Sequence, residues 1–135
     1  MNLSSILNLT QHTATPEQKA QGVVEPSPGK KQHIQALLTF SSLPTQREIM
    51  SRATVLAEIA DSYECDAAMI GGAPYLMSAL EHELRALGIQ PLYSFTLRES
   101  VEEHQPDGSV RKVAVFRHVG FVEPPEVESL LETRW

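Results

Sequence analysis

The chain has 135 residues, of which 41% are hydrophobic and 21% charged, and a formal net charge of −6. That length and balance fit one globular α/β domain, residues 1–135, able to bury a core of its own. An acidic chain is a poor coat for long DNA or RNA, which grips proteins through Lys and Arg contacts to phosphate, but a small anionic ligand in a local pocket stays open.

The first apolar run, Ile6-Leu7-Asn8-Leu9, predicts a strand over Ile6–Thr10 that opens onto a polar cluster, Thr10, Gln11, His12 and Thr13. Thr15-Pro16-Glu17-Gln18 then reads as a helix start. Pro16 suits the first helical position, Thr15 can cap, and Gln18 can reach back as in a capping box. The helix is expected over Pro16–Gln21, closed by Gly22, with a short strand at Val23-Val24-Glu25. Glu25–Lys31 (EPSPGKK) is expected as a mobile, turn-rich link, followed by a short helix over Gln32–Phe40. Leu43–Tyr63 carries the strongest helical pattern, with a second capping-box pair in Thr45 and Glu48 and an apolar stripe through Ile49, Ala53, Leu56, Ala60 and Tyr63.

Asp66–Gly71 (DAAMIG) predicts a buried strand. Gly71-Gly72-Ala73-Pro74 turns into a helix with Leu76, Leu80, Leu84 and Leu87 on one stripe, a Glu81–Arg85 pair, and a stop at Gly88. Ile89–Glu99 is expected as a long strand. Val101–His118 reads as a hairpin bent at Gln105-Pro106-Asp107-Gly108, with Val119 and Phe121 on the return. Pro124–Trp135 is polar and is expected to hold a final helical turn. The order β-α-(β)-α-α-β-α-β-β argues for a small Rossmann-like fold: a mostly parallel sheet flanked by helices, with a C-terminal antiparallel hairpin.

In open α/β sheets ligands sit beyond the carboxyl ends of the strands. Three such ends are expected to meet: Thr10, Gln11, His12 and Thr13; Gly71, Gly72, Ala73 and the turn to Tyr75; and Ser94, Thr96 and Arg98 with their neighbours. Hydroxyls, amides, an imidazole, a guanidinium and glycine N–H groups suit an anion. Arg98 can grip phosphate with two N–H groups, and Tyr75 can stack on a base. Each also has a plainer role. Gly71-Gly72 can be a tight strand–helix turn, Arg98 part of a solvated strand face, His12 a structural residue, Ser94 and Thr96 strand surface, and Tyr75 core. His12, His33, His82, His104 and His118 are scattered without ligand spacing, so no metal is expected and no cofactor is called for. Cys65, the single cysteine, has no disulfide partner and reads as a buried thiol. No apolar run reaches membrane-span length and no leader pattern is visible, so no membrane partner and a cytoplasmic location are expected.

The opening stretch resembles the small CRISPR-associated ring nuclease families with a CARF-like Rossmannoid fold. Their pattern is a strand, then Ser-His, a residue or two, Thr, and Glu-Gln. His12, Thr15, Glu17 and Gln18 match it, Gln11 stands where the family usually has Ser, and Thr10 offers a hydroxyl one position earlier. The resemblance implies a homodimer that binds a cyclic oligoadenylate and cleaves it without metal, the ligand's ribose 2′-hydroxyl attacking its own phosphate. It implies catalytic roles for His12, Thr10 and Arg98, with Gln11, Thr13, Gly71, Gly72, Ala73, Tyr75, Ser94 and Thr96 contacting the ligand. A sequestering protein with the same pocket, or a partner-binding protein of a mobile element docking through Val101–His118, is the alternative. A mononucleotide or methyl-donor site is disfavoured by the absent glycine fingerprint and ribose-binding acid.

Overall fold

The computed structural model describes residues 5–126. Its elements run β1 (Ile6–Leu9), α1 (Pro16–Ala20), β2 (Val23–Val24), α2 (Pro28–Leu38), α3 (Gln46–Ser62), β3 (Ala67–Ile70), α4 (Pro74–Ala86), β4 (Gln90–His104) and β5 (Val110–Val122). That is the expected order. The sheet order is β2-β1-β3-β4-β5, parallel through β4 and antiparallel between β4 and β5. The molecule is thus α/β, a mixed sheet flanked by helices and ending in a long hairpin. Among the described residues no helix is long and apolar enough to cross a membrane.

The two central strands are buried at every position because both sheet faces are covered. Alternation sorts their side chains. Leu7, Leu9, Ala68 and Ile70 meet the main core, built from Ile34 and Leu38 of α2, Leu56 and Ala60 of α3, and Leu76, Leu80 and Leu84 of α4. Ile6, Ala67, Met69 and Leu92 enter a smaller cluster with Ala14, Val23 and Phe121 on the opposite face. Cys65 is buried, and that burial pushes its thiol pKa up.

Several boundaries differ from expectation. Glu25–Lys31 is no mobile link: α2 begins at Pro28, so Gly29, Lys30 and Lys31 are helical. Proline's preset φ suits a first helical turn, and Ser27 O accepts from Lys31 N at 2.8 Å. α3 begins at Gln46, three residues after Leu43, with Thr45 accepting from Glu48 N. The reciprocal half of that box is not seen, because the Glu48 carboxylate pairs with Arg52 at 2.8 Å. The same Arg52 donates to the carbonyls of Ala36, Leu37 and Thr39, closing the end of α2. Leu87 leaves the α4 stripe, standing at the helix C-cap and exposed. β4 runs on to His104, so the hairpin starts earlier than Val101. From Tyr93 to His104 it pairs with β5. The final turn expected in Pro124–Trp135 lies, from residue 127 on, outside the described residues.

Candidate functional site

The chain leaves β1 toward β2 on one side and returns to place β3 on the other, so the winding direction reverses between β1 and β3. Loops at such a point diverge and leave a crevice at the strand carboxyl ends. A cavity of about 710 Å³ lies there, bounded by the β1–α1 loop, the β3–α4 turn and the start of the β4–β5 ribbon. That size suits a small ligand.

The β1–α1 loop is held from beneath. Asn8 is fully buried in an otherwise apolar strand. Its Nδ2 donates to the His12 carbonyl at 2.7 Å and to Glu25 Oε1 at 2.9 Å, while its Oδ1 accepts from Thr10 N at 2.9 Å and Thr10 Oγ1 at 2.7 Å. Glu25 Oε1 also accepts from Ala14 N at 2.6 Å. Lys31 Nζ donates to the Thr10 and His12 carbonyls and pairs with Glu25 Oε2 at 3.6 Å. Burial works to raise the Glu25 pKa, but the Ala14 and Asn8 N–H donors and the Lys31 charge outweigh it and hold the carboxyl below its usual range. The loop's polar backbone is therefore satisfied inward, and the side chains of Gln11, His12 and Thr13 are exposed. At α1 the capping box is complete in both directions between Thr15 and Gln18.

Across the cavity, Ser94 Oγ lies 2.6 Å from His118 Nδ1 and accepts from Gln18 Nε2 at 3.2 Å. His118 Nε2 lies 2.7 Å from Gln21 Oε1. His118 is only 6% exposed, and burial holds its pKa below the ordinary value against the pull of the Glu17 carboxylate. A bulge creates this pairing. Phe95 faces Gly120 but Thr96 faces His118, so Val119 is the extra residue. Without that shift His118 would fall on the other face of the ribbon.

Of the residues expected at the site, Thr10, Gln11, His12, Thr13, Gly71, Gly72, Ala73, Ser94 and Thr96 all line the cavity. Thr10 directs its hydroxyl to Asn8, so that proton is committed within the loop. Two residues are not brought in. Tyr75 packs edge-on against Phe40 at 5.3 Å and lines a separate hollow with Ile49 and Met50. Arg98 follows Thr96 on the same ribbon face, exposed, beyond the cavity wall. Thr15 and Gln18, read from the sequence as capping and motif residues, also stand in the wall, and sequence reading missed Leu38, Met69, Ile70 and Tyr93 there and Asn8, Glu25, Lys31, Gln21 and His118 behind it. A lone Asn inside an apolar strand was the one visible signal among them. The Tyr93 hydroxyl donates to Glu81 Oε2 at 2.6 Å, and burial raises its pKa well above the normal range. Among the described residues no three His, Cys, Asp or Glu side chains group as a metal site would need.

No curated protein and no solved structure matches the chain. Over residues 4–122, which contain every strand and helix above, the sequence matches the family described as Uncharacterized protein MJ1673 family, and the chain belongs to that family.

Proposed function

We propose that the protein binds a cyclic oligoadenylate in this cavity and cleaves it without a metal, as a cytoplasmic homodimer with a Rossmann-like, CARF-type fold acting in CRISPR-type antiviral signalling. The observation that carries the reading is the convergence of the Thr10–Thr13 loop, the Gly71–Ala73 turn and Ser94 with Thr96 around one open cavity. The resemblance of the His12–Gln18 stretch to ring nucleases supports the ligand class, and the reversal between β1 and β3 supports the fold type.

The chemistry follows from positioning. The ring's ribose 2′-hydroxyl attacks the adjacent phosphorus. The 2′-O–P bond forms, the P–O5′ bond breaks, and the product is linear with a 2′,3′-cyclic phosphate. Gln11 and Thr13 hold phosphate oxygens, and the Gly71-Gly72 turn lets backbone approach them closely. His12, exposed on the loop rim, gives a proton to the departing 5′ oxygen. Arg98 offers charge to a ring that overhangs the cavity.

Labelled cyclic tetra-adenylate incubated with the protein in EDTA, with products resolved, tests the reading. A linear 2′,3′-cyclic phosphate product is expected, and His12→Ala is expected to slow it by about 100-fold or more. Neither binding nor cleavage at micromolar protein overturns the proposal. A dimer by light scattering is expected in the same preparation.

One observation favours a second reading, a non-catalytic sequestering or partner-binding protein. Both faces of the ribbon keep exposed apolar side chains, with Phe116 at 72% and Phe95 at 49%. Capture of one specific protein, with no nucleotide-dependent change in melting temperature, would support it.

A further inference from the structure

The tautomer of His118 can be derived from its neighbours. Gln21 Nε2 donates to the Val119 carbonyl at 3.3 Å, which turns the amide oxygen toward His118. That oxygen only accepts, so His118 Nε2 carries the ring hydrogen and Nδ1 keeps its lone pair. Ser94 is then the donor across the 2.6 Å contact to Nδ1. Gln18 fills one lone pair of Ser94 Oγ; Thr96 Oγ1, 3.4 Å away, then donates to the other, a long contact that a ligand hydroxyl entering the cavity replaces. A hydroxyl against a neutral imidazole, with the imidazole held by a third group, is the arrangement that activates serine. Both His118 nitrogens are occupied and the ring is buried, so a ligand meets Ser94 and His118 acts only through it.

We propose that Ser94 is a catalytic residue of this cavity, taking a proton from a ligand hydroxyl as its own proton passes to His118 Nδ1, with His118 and Gln21 as its positioning residues. The identity of the ligand rests on the ring-cleavage reading, whereas the activation of Ser94 does not. In that reaction the 2′-hydroxyl proton moves to Ser94 Oγ while the 2′-O–P bond forms. The Ser94 proton moves to Nδ1, giving an imidazolium. It returns through Ser94 to water after product leaves. The burial that holds His118 neutral supports this direction of transfer, and the Glu17 carboxylate on α1 is the charge that steadies the imidazolium.

The test has two arms. In the first, unaltered protein is treated with a fluorophosphonate and the modified residue is mapped by mass spectrometry. The same activation lets Ser94 Oγ attack phosphorus, with fluoride leaving and the proton going to His118. Labelling at Ser94 is expected, rising with pH through the His118 titration and falling by about 100-fold or more in His118→Gln. In the second, Ser94→Ala and His118→Gln are assayed separately for binding and cleavage of cyclic tetra-adenylate, with a comparable loss of turnover in both that exceeds any loss of affinity expected. Labelled Ser94 without any ring cleavage sinks the ring reading and keeps the serine. Ring cleavage by Ser94→Ala at the parent rate, or an unlabelled Ser94 in the unaltered protein, overturns the serine assignment and leaves the ring reading standing.

Discussion

Lys31 Nζ lies 2.7 Å from the carbonyl oxygen of His12 and 2.9 Å from that of Thr10, so a side chain of α2 holds the backbone of the β1–α1 loop. Its charge is balanced by Glu25, and Glu25 is tied in turn to Asn8. The loop that bears Gln11, His12 and Thr13 is therefore shaped by Lys31, Glu25 and Asn8, none of which lines the cavity.

Asn8→Asp tests that clamp without changing volume. The substitution replaces two amide hydrogens with a carboxylate oxygen facing the His12 carbonyl and Glu25. Two carboxylates sharing a site drive one of them to hold its proton. A stability loss of about 3 kcal/mol at neutral pH is expected, from the stranded acceptors and the like charges. It should shrink as the pH falls and the new acid protonates. Lys31→Met should cost about 1.5–3 kcal/mol, the range of hydrogen bonds to charged groups. Urea midpoints of both variants, followed against pH, measure it. A neutral effect for Asn8→Asp would mean that the network does not hold the loop.

The two glycines of the β3–α4 turn are not equivalent. Gly72 has φ of +153°, and a Cβ there would meet Met77 Cε at 3.4 Å and Leu38 Cδ2 at 3.7 Å. At Gly71 the nearest atom is Thr10 Cγ2, at 3.8 Å. Gly72→Ala should cost about 1–3 kcal/mol for a strained backbone, whereas Gly71→Ala should fall within about 0.5 kcal/mol of the parent. Melting temperatures of the pair check this. If both are tolerated, the turn has another backbone conformation open to it.

The element order, and with it the meeting of the β1 and β3 carboxyl ends, could be read from the sequence because the elements rest on local signals, whereas Ser94 and Thr96 lie within β4 and not at a strand end. Apolar runs, proline at helix starts and glycine after helices each act within a few residues. The residues behind the site were hidden for the opposite reason. Ser94 meets His118 only because a bulge at Val119 shifts the ribbon by one position, and Gln21 reaches the same ring from α1. Lys31 sits in a stretch whose two prolines and glycine read as a breaker, yet one of those prolines starts a helix. Tyr75 is turned aside by Phe40, which was expected to close the helix over Gln32–Phe40 but lies past the end of α2 at Leu38.

His118, which is buried, and Glu25, which is partly exposed, should set the acid limb of stability. His118 has a folded pKa below 6.5, so the unfolded chain binds its proton first as pH drops. Its contribution is complete above 6.5 and is lost as pH falls through the folded value. Glu25 is also depressed, so its contribution holds above 4.5 and disappears below that. His118→Gln should flatten the upper step and leave the lower one. Glu25→Gln should flatten the lower step while costing stability at neutral pH, because Ala14 N–H and Lys31 lose a charged partner. Denaturant midpoints taken down through both windows would show the steps separately. Unchanged curves in both variants would place the acid limb on other groups.

Arg98 distinguishes a ligand confined to the cavity from one that extends along the ribbon. It lies on the face of Ser94 and Thr96, opposite Phe116, but outside the cavity wall. A mononucleotide seated in the cavity should not feel it. A cyclic oligoadenylate reaching outward should, and the contact is solvated, so Arg98→Ala should weaken ring binding by only about fivefold. Because the contact is to phosphate, the salt dependence of ring affinity should flatten by about one counterion. Arg98→Lys should restore that dependence but not all of the affinity, since an ammonium cannot grip phosphate through a planar fork. Titrations of adenosine monophosphate and cyclic tetra-adenylate at several salt concentrations separate these cases. Equal losses for both ligands would draw Arg98 into the cavity, and no loss for the ring would direct its overhang away from the ribbon.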